Sequence, residues 1–366
     1  MASQREDLLV LRPEGLYCPR GDFYVDPWRP VPYAVITHGH SDHAKAGHRQ
    51  YLCHRHSVPI LQHRLGIHKG LQGIAYGDVV RRRGVAISLH PAGHIPGSAQ
   101  VLVEYKGDRW VVSGDYKTHD DGFCPAFVPL RCRVFITEST FGLPIYRWPD
   151  ADAEMARINA WWAANQAAGK TSVLVGYALG KAQRLLAGLD PDLGRIYAHG
   201  AIIAMTDIVR TMGYALPPLI PVDTAPRASK SGYPGSLVMA APSAIDTAWM
   251  NRFEPASLAF ASGWMAIRGP RRRRAADRGF VVSDHADWDG LNAAVLATGA
   301  ERLLVTHGYQ DSFSRWWREK GLDAASLETA FEGERAEIGE AQSQSSSDPA
   351  GRTGHSAAAQ AIPEIP

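Results

Sequence analysis

The stretch Thr37-His38-Gly39-His40-Ser41-Asp42-His43 holds three histidines and an aspartate within six consecutive positions, directly after the short apolar run Tyr33–Ile36. A brief β-branched apolar run predicts a buried strand that ends where the polar residues begin. Gly39 is expected to let the backbone turn sharply there. His38 and His40 can then aim at one ion, and Asp42 and His43 at a second. Neutral imidazoles with a carboxylate suit zinc, and also manganese or iron. The competing reading, a polar loop with histidines by coincidence, fits this dense spacing poorly.

The remaining composition narrows the setting. A chain of 366 residues with 45% hydrophobic content supports two domains or one large one around a substantial core. A net charge of +2 announces no global basic field, so any nucleic-acid surface must be local. Cys18, Cys53, Cys124 and Cys132 form no C-x-x-C pair, which argues against a zinc knuckle or a disulfide framework and points to a reduced compartment. The polar N-terminus has no apolar segment behind it, and no later stretch reaches membrane-span length. A cytoplasmic location without a membrane partner is therefore expected.

Along the chain the same local grammar recurs: an apolar run ending on a polar donor. Runs between Leu8 and Ile36, broken by Pro and Gly, predict strand-turn-strand. Asp26 ends one of them; it is placed either to orient a metal ligand or water from behind, or simply as a turn residue before Pro27. His48, His54, His56, His63 and His68 are expected mostly on the surface or in loops. Alternating Val85, Ile87 and Leu89 lead into a loop where His94, between Gly93 and Gly97, is either a third ligand or an ordinary loop histidine. Trp110–Asp115 predicts a strand ending in a carboxylate able to bridge two cations, neutralising charge that would otherwise push them apart. Ile136–Gly142 carries Glu138, a capping residue or part of the site.

Asp150 to Ala168 predicts a helix with acids in its first turn and Trp161 and Trp162 in the core. Residues 171 to about 270 alternate strand and helix patterns, as a small parallel α/β unit does. This unit ends in Arg268 and the run Arg271, Arg272, Arg273 and Arg274, a solvated loop or a phosphate contact. Val281–Asp287 then offers His285, and Arg302–Gly308 offers His307. From residue 333 the composition predicts a disordered tail.

The order H-x-H-x-D-H, a Gly-flanked His, a strand-end Asp and a late strand-end His resembles the metallo-β-lactamase superfamily. Thr137-Glu138-Ser139-Thr140-Phe141-Gly142, Leu179–Arg184, Ser283–Asp287 and Val305–Gly308 further resemble its β-CASP nucleases. Within that group the Gly15–Cys18 and Phe23–Pro27 segments look most like the bacterial ligase-associated DNA exonucleases. The resemblance implies a four-layer αβ/βα fold, with residues 1–145 and 275–332 as a discontinuous metallo-β-lactamase domain and residues 146–274 as a β-CASP insert. It implies two divalent metal ions, zinc or manganese. His38, His40 and His94 would hold the first, Asp42, His43 and His307 the second, and Asp115 would bridge. Asp26 and Glu138 would be supporting acids and His285 the group acting at the leaving oxygen. Ser139, Thr140, Lys181, Arg184 and the arginine run are candidates to hold a substrate backbone.

The expected activity is phosphodiester hydrolysis, as a DNA exonuclease in repair beside a DNA ligase and a helicase. DNA is favoured over RNA, although a His at the position of His307 resembles RNA-processing members of the group. An RNA endonuclease or 5′ exonuclease of the mRNA-processing type is the alternative. Thioester or lactam hydrolysis would have no use for the insert, and a non-enzymatic scaffold would be expected to lack a ligand.

Overall fold

The computed structural model of the protein describes residues 6–222, 233–267 and 276–329. Arg268, the run Arg271 to Arg274 and the tail expected from residue 333 lie outside them. The first apolar runs build a six-stranded sheet whose neighbours follow chain order: β1 (Val10–Arg12), β2 (Gly15–Cys18), β3 (Phe23–Val25), β4 (Ala34–Val35), β5 (Tyr51–His54) and β6 (Leu71–Ile74). Helix α1 (Ser57–Leu65) connects the last two. A second sheet begins with the antiparallel β7 (Val79–Arg82), β8 (Val85–Pro91), β9 (Ala99–Tyr105) and β10 (Asp108–Val112), followed by β11 (Val134–Ser139) parallel to β10.

The chain then leaves this sheet to form the expected parallel α/β unit. Its elements are α2 (Ala151–Ala167), β12 (Thr171–Val175), α3 (Lys181–Gly188), β13 (Ile196–Ala198), α4 (Gly200–Thr211), β14 (Ile220–Pro221), β15 (Leu237–Ala240), β16 (Ala256–Ala261) and β17 (Arg278–Phe280). The strand order is β14-β13-β15-β12-β16-β17, with all these pairings parallel. The Asp150 side chain starts α2 by accepting from the Ala153 amide at 2.9 Å. β17, which follows the boundary expected at residue 274, pairs parallel with β16 of this sheet. The chain returns through α5 (Trp288–Thr298), β18 (Arg302–Gly308), α6 (Gln310–Glu319) and β19 (Asp323–Ser326), and β18 pairs parallel with β11.

Side-chain alternation with period two decides which faces meet. In the second sheet Val101, Val103, Trp110, Val112, Val134 and Ile136 enter a core shared with Leu16, Phe23, Val35 and Leu52 of the first sheet. The intervening Leu102, Val111 and Phe135 pack instead against Leu291 and Val295 of α5 and Phe313 and Trp317 of α6. Leu61 of α1 covers the outer face of the first sheet with Tyr24, Ala34 and Cys53. The packing order is helix, sheet, sheet, helices. The insert's parallel sheet needs cover on both faces, and has it from Trp162, Leu185 and Ile202 on one side and Phe253 and Trp264 on the other.

One expectation differs from the structure here. His54 is buried as the last residue of β5, whereas His48 lies in a loop as expected, buried beside Tyr51. Among the described residues, no helix is long and apolar enough to cross a membrane.

Trp162 is fully buried between α2 and the insert sheet. Trp162→Ala is expected to destabilise the protein by ~3–5 kcal/mol through lost burial and the cavity left behind. Urea unfolding followed by circular dichroism measures it, and a wild-type midpoint would contradict this packing.

Candidate metal centre

All seven candidate ligands come to one end of the two facing sheets. His38, His40, Asp42 and His43 follow β4, His94 lies between β8 and β9, Asp115 follows β10, and His307 lies near the end of β18. Their donor atoms form overlapping groups within 4.8 Å: His38, His40, His94 and Asp115; His38, Asp42 and His43; and His43, Asp115 and His307. The glycines that shape the two loops do so differently. Gly39 is not in the left-handed region; a Cβ there would sit 2.6 Å from Ile60 Cγ2, so it is close approach and not a turn that requires glycine. Gly93 has φ +76°, and a Cβ would meet the Lys117 carbonyl oxygen at 2.3 Å.

The hydrogen bonds of the imidazoles fix which nitrogen of each faces inward. Thr37 Oγ1 donates to Asp26 Oδ2 at 2.5 Å and therefore accepts from His38 Nδ1 at 3.0 Å. His43 Nδ1 donates to the same Asp26 oxygen at 2.8 Å. His94 Nδ1 donates to the Asp284 carbonyl at 2.9 Å, and His40 Nε2 to the Leu179 carbonyl at 3.2 Å. Thr306 Oγ1 donates to the Thr137 carbonyl at 3.1 Å, leaving it to accept from His307 Nδ1 at 3.2 Å. In each ring one nitrogen is tied to a partner away from the centre, and the other faces inward.

These inward atoms crowd together. His94 Nε2 and His40 Nδ1 are 3.1 Å apart, and both are acceptors in this arrangement. His38 Nε2 is buried and has no hydrogen-bond partner. Asp115 divides its oxygens: Oδ2 lies 3.6 Å from His38 Nε2 and 3.8 Å from His94 Nε2, while Oδ1 lies 3.4 Å from His43 Nε2 and 2.8 Å from His307 Nε2. Asp42 Oδ2 is 3.6 Å from His43 Nε2. Such a cluster of buried acceptors is unfavourable unless a cation enters, and the imidazole and carboxylate donors fit divalent metal.

Protonation separates the two halves. His38 and His94 are driven well below the ordinary histidine value, first by burial and then by neighbouring imidazoles. Burial pushes His43 the same way, but the Asp115 and Asp42 carboxylates and the hydrogen bonds to Asp115 and Asp26 outweigh it and hold His43 well above. Burial would raise Asp115, yet His43 and His307 hold it well below the usual carboxylate range.

The supporting residues occupy distinct places. Asp26 accepts from the Thr37 amide at 2.8 Å as well as from Thr37 Oγ1 and His43, and it adopts φ +43° to do so. Glu138 accepts from the Tyr116 amide at 2.8 Å, and both its oxygens lie 2.9 Å from His285 Nδ1. Ser139 is buried, donating to the His307 carbonyl at 2.8 Å, and so ties β11 to β18 where a phosphate contact was expected. Thr140 is buried too, and its amide donates to Glu138 at 3.3 Å. Lys181 and Arg184 are only 1% and 6% exposed, and both face Asp284 inside the protein. The candidates Arg271, Arg272, Arg273 and Arg274 lie outside the described residues.

Thr37, Thr306 and Asp284 are the residues that sequence reasoning passed over. A signal for two of them exists: Thr-His-Gly occurs at Thr37–Gly39 and again at Thr306–Gly308, and in both the threonine hydroxyl sets the ring that follows. Asp284 acts through its backbone carbonyl, which leaves no compositional trace.

No protein-family model matches the chain. It is 30% identical over 312 residues to a probable DNA ligase from Opitutus terrae, a match covering 85% of this chain and 30% of that protein. It is 32% identical over 128 residues to endoribonuclease ysh-1 of Neurospora crassa, covering 34% of this chain and 15% of that one. Cleavage and polyadenylation specificity factor subunit 3 of Dictyostelium discoideum is 28% identical over 122 residues, 33% of this chain and 16% of its own length. The chain thus spans under a third of each of these relatives. In fold it is similar to a protein of unknown function from Enterococcus faecalis, with TM-score 0.53 and 13% identity over 75% of this chain and 74% of that one.

The two oxygens of Asp115 lie near histidines of both groups. Asp115→Ala is expected to lower metal bound per chain at both positions, read by elemental analysis of protein dialysed against a zinc or manganese buffer; wild-type content would remove its shared role. Asp26→Ala, which frees the His43 ring, is expected to weaken metal affinity roughly 10- to 100-fold, and an unchanged titration would contradict that.

Proposed function

We propose that the chain is a metal-dependent nuclease of the metallo-β-lactamase superfamily, with its helix, sheet, sheet, helix packing as the αβ/βα layering and residues from about 146 to 280 as a β-CASP insert. The observation that carries this is the convergence of four imidazole nitrogens, those of His38, His43, His94 and His307, on the two oxygens of Asp115, with His40 Nδ1 beside His94 Nε2. Similarity to proteins named as endoribonucleases supports a hydrolase acting on phosphodiester bonds. His38, His40 and His94 would hold one divalent ion, Asp42, His43 and His307 a second, and Asp115 would serve both. When bound, such ions act as Lewis acids on the phosphate and make water acidic enough to attack at neutral pH.

The chain's own groups do the rest. Asp26 holds His43 with its proton outward. Glu138 accepts from Nδ1 of His285 and so fixes the ring plane; in the imidazolium form, protonated on both nitrogens, Nε2–H would give its proton to the departing oxygen. The Phe141 ring, 6.0 Å from that of His285, and the Trp148 indole, which donates to the His285 carbonyl at 2.9 Å, keep the segment in place.

The substrate we propose is DNA, cleaved from an end in a repair setting that includes a ligase. The support is the similarity to a protein named as a probable DNA ligase, which extends over 85% of this chain. A second reading, cleavage of RNA, is favoured by the names of the nuclease relatives, although those matches cover about a third of the chain.

Digestion of labelled single-stranded DNA and RNA with 5′ or 3′ ends blocked, across a metal panel, is expected to show metal-dependent degradation of DNA from an unblocked end. Cleavage of RNA alone would select the second reading, and no cleavage of either with metal bound would overturn the proposal. His285→Ala is expected to keep the wild-type metal content and lose on the order of a hundredfold in rate; an unchanged rate would deny His285 the proton.

A further inference from the structure

Arg184 sits on α3 of the insert, yet its contacts lie in the other domain. Its Nη2 donates to the carbonyls of Gly93 at 3.1 Å and His94 at 3.0 Å. Its Nε donates to Asp121 at 3.0 Å and lies 3.4 Å from Asp284 Oδ1. The Asp284 carbonyl in turn receives the proton of His94 Nδ1 at 2.9 Å, and the next residue is His285. One guanidinium therefore holds both sides of the His94 hydrogen bond, the backbone that carries the ring and the residue that orients it. Lys181, one turn earlier on the same helix, faces Asp284 Oδ2 at 3.8 Å.

Planarity matters here. A guanidinium offers five N–H donors in a fixed fork, whereas an ammonium is a compact point donor. Two carbonyls and two carboxylates lying around Arg184 match the fork, and a lysine would reach at most part of them. The residue is buried, so it does not need a ligand from solvent to satisfy it.

Resting on the metal-dependent reading above, we propose that Arg184 is a positioning residue for the first metal site: it fixes His94 from the insert, so that the geometry of a ligand in one domain depends on a side chain of the other. It does not contact substrate in this role. The loss on substitution should fall on the ion held by His38, His40 and His94 and spare the one held by Asp42, His43 and His307.

The test uses the full chain loaded with cobalt(II), whose visible absorption reports coordination geometry, together with competitive metal titration. Arg184→Lys is expected to weaken one of the two sites about 10- to 100-fold and to alter the cobalt spectrum, with the other site unchanged. Arg210→Lys, at an exposed ion pair on α4, is the control and should match wild type. Two wild-type affinities and a wild-type spectrum for Arg184→Lys would overturn the proposal, and reduced substrate affinity with those metal properties intact would instead mark a substrate contact. Should Arg184→Lys fail to fold, Asp284→Asn keeps the carbonyl while weakening the ionic anchor, and the same one-site loss is expected of it; wild-type metal binding there would be equally fatal. A wild-type chain that takes up no metal would defeat the metal-dependent reading itself, an outcome separate from the loss of selectivity between sites.

Discussion

Five imidazoles point their protons outward, to Thr37, Asp26, Asp284, Leu179 and Thr306. That outward anchoring is what the rest of the centre depends on. Each anchor turns the ring's other nitrogen toward the same small volume, and Asp115 adds two carboxylate oxygens. Without a cation such a cluster is costly, since buried acceptors lose hydration and gain nothing from one another. A proton held on His43 relieves part of it, which is how a metal site behaves when protons and ions compete for the same donors. The surrounding core has to hold the cluster together. Trp110, Val112, Ile136 and Leu304 supply apolar packing between the sheets whose ends carry it.

The insert is joined to the centre by polar contacts as well as by packing. Arg184 and Lys181 reach across to Asp284, Leu179 supplies the carbonyl for His40, and Lys117 donates to the Ser283 carbonyl at 3.1 Å. On the other flank Phe141, Tyr146, Trp264 and Tyr309 share one apolar cluster, with the Tyr146 and Tyr309 hydroxyls 2.9 Å apart. Two of the five imidazole anchors, Leu179 and Asp284, thus come from segments that belong to or border the insert.

This division explains what could be read from the sequence. His38 to His43, His94, Asp115 and His307 were legible because each sits at or beside the end of an apolar run, and a strand end is a local pattern. Asp26 was ambiguous for the same reason: its local context is that of a turn, and only the pairing of β3 with β4 brings it under Thr37 and His43. Arg184 and Lys181 looked like substrate contacts because cations near a nuclease motif suggest phosphate. Their burial follows from α3 docking on the His94 loop, a contact between residues far apart in sequence. Gly39 was read as a turn and serves close packing with Ile60, which spacing along the chain cannot show. The alternation of Val101, Leu102 and Val103 into two different cores was predictable in kind, whereas the place of β17 was not, since it is three residues long and declares itself only by pairing with β16.

Two buried carboxylates stand side by side in this centre and their partners assign them different work. Glu138, Asp115 and His285 also present donors within 4.8 Å of one another. Glu138, however, accepts from two backbone amides, those of Tyr116 and Thr140, and from the His285 imidazole through both oxygens. Its lone pairs are met by donors that the fold itself supplies, so it needs no cation. Asp115 instead faces imidazole nitrogens on both oxygens. The same chemical group is therefore met by backbone N–H groups in one place and by imidazoles in the other. What decides between them is whether the backbone around the carboxylate turns N–H groups toward it, as the end of β11 does for Glu138.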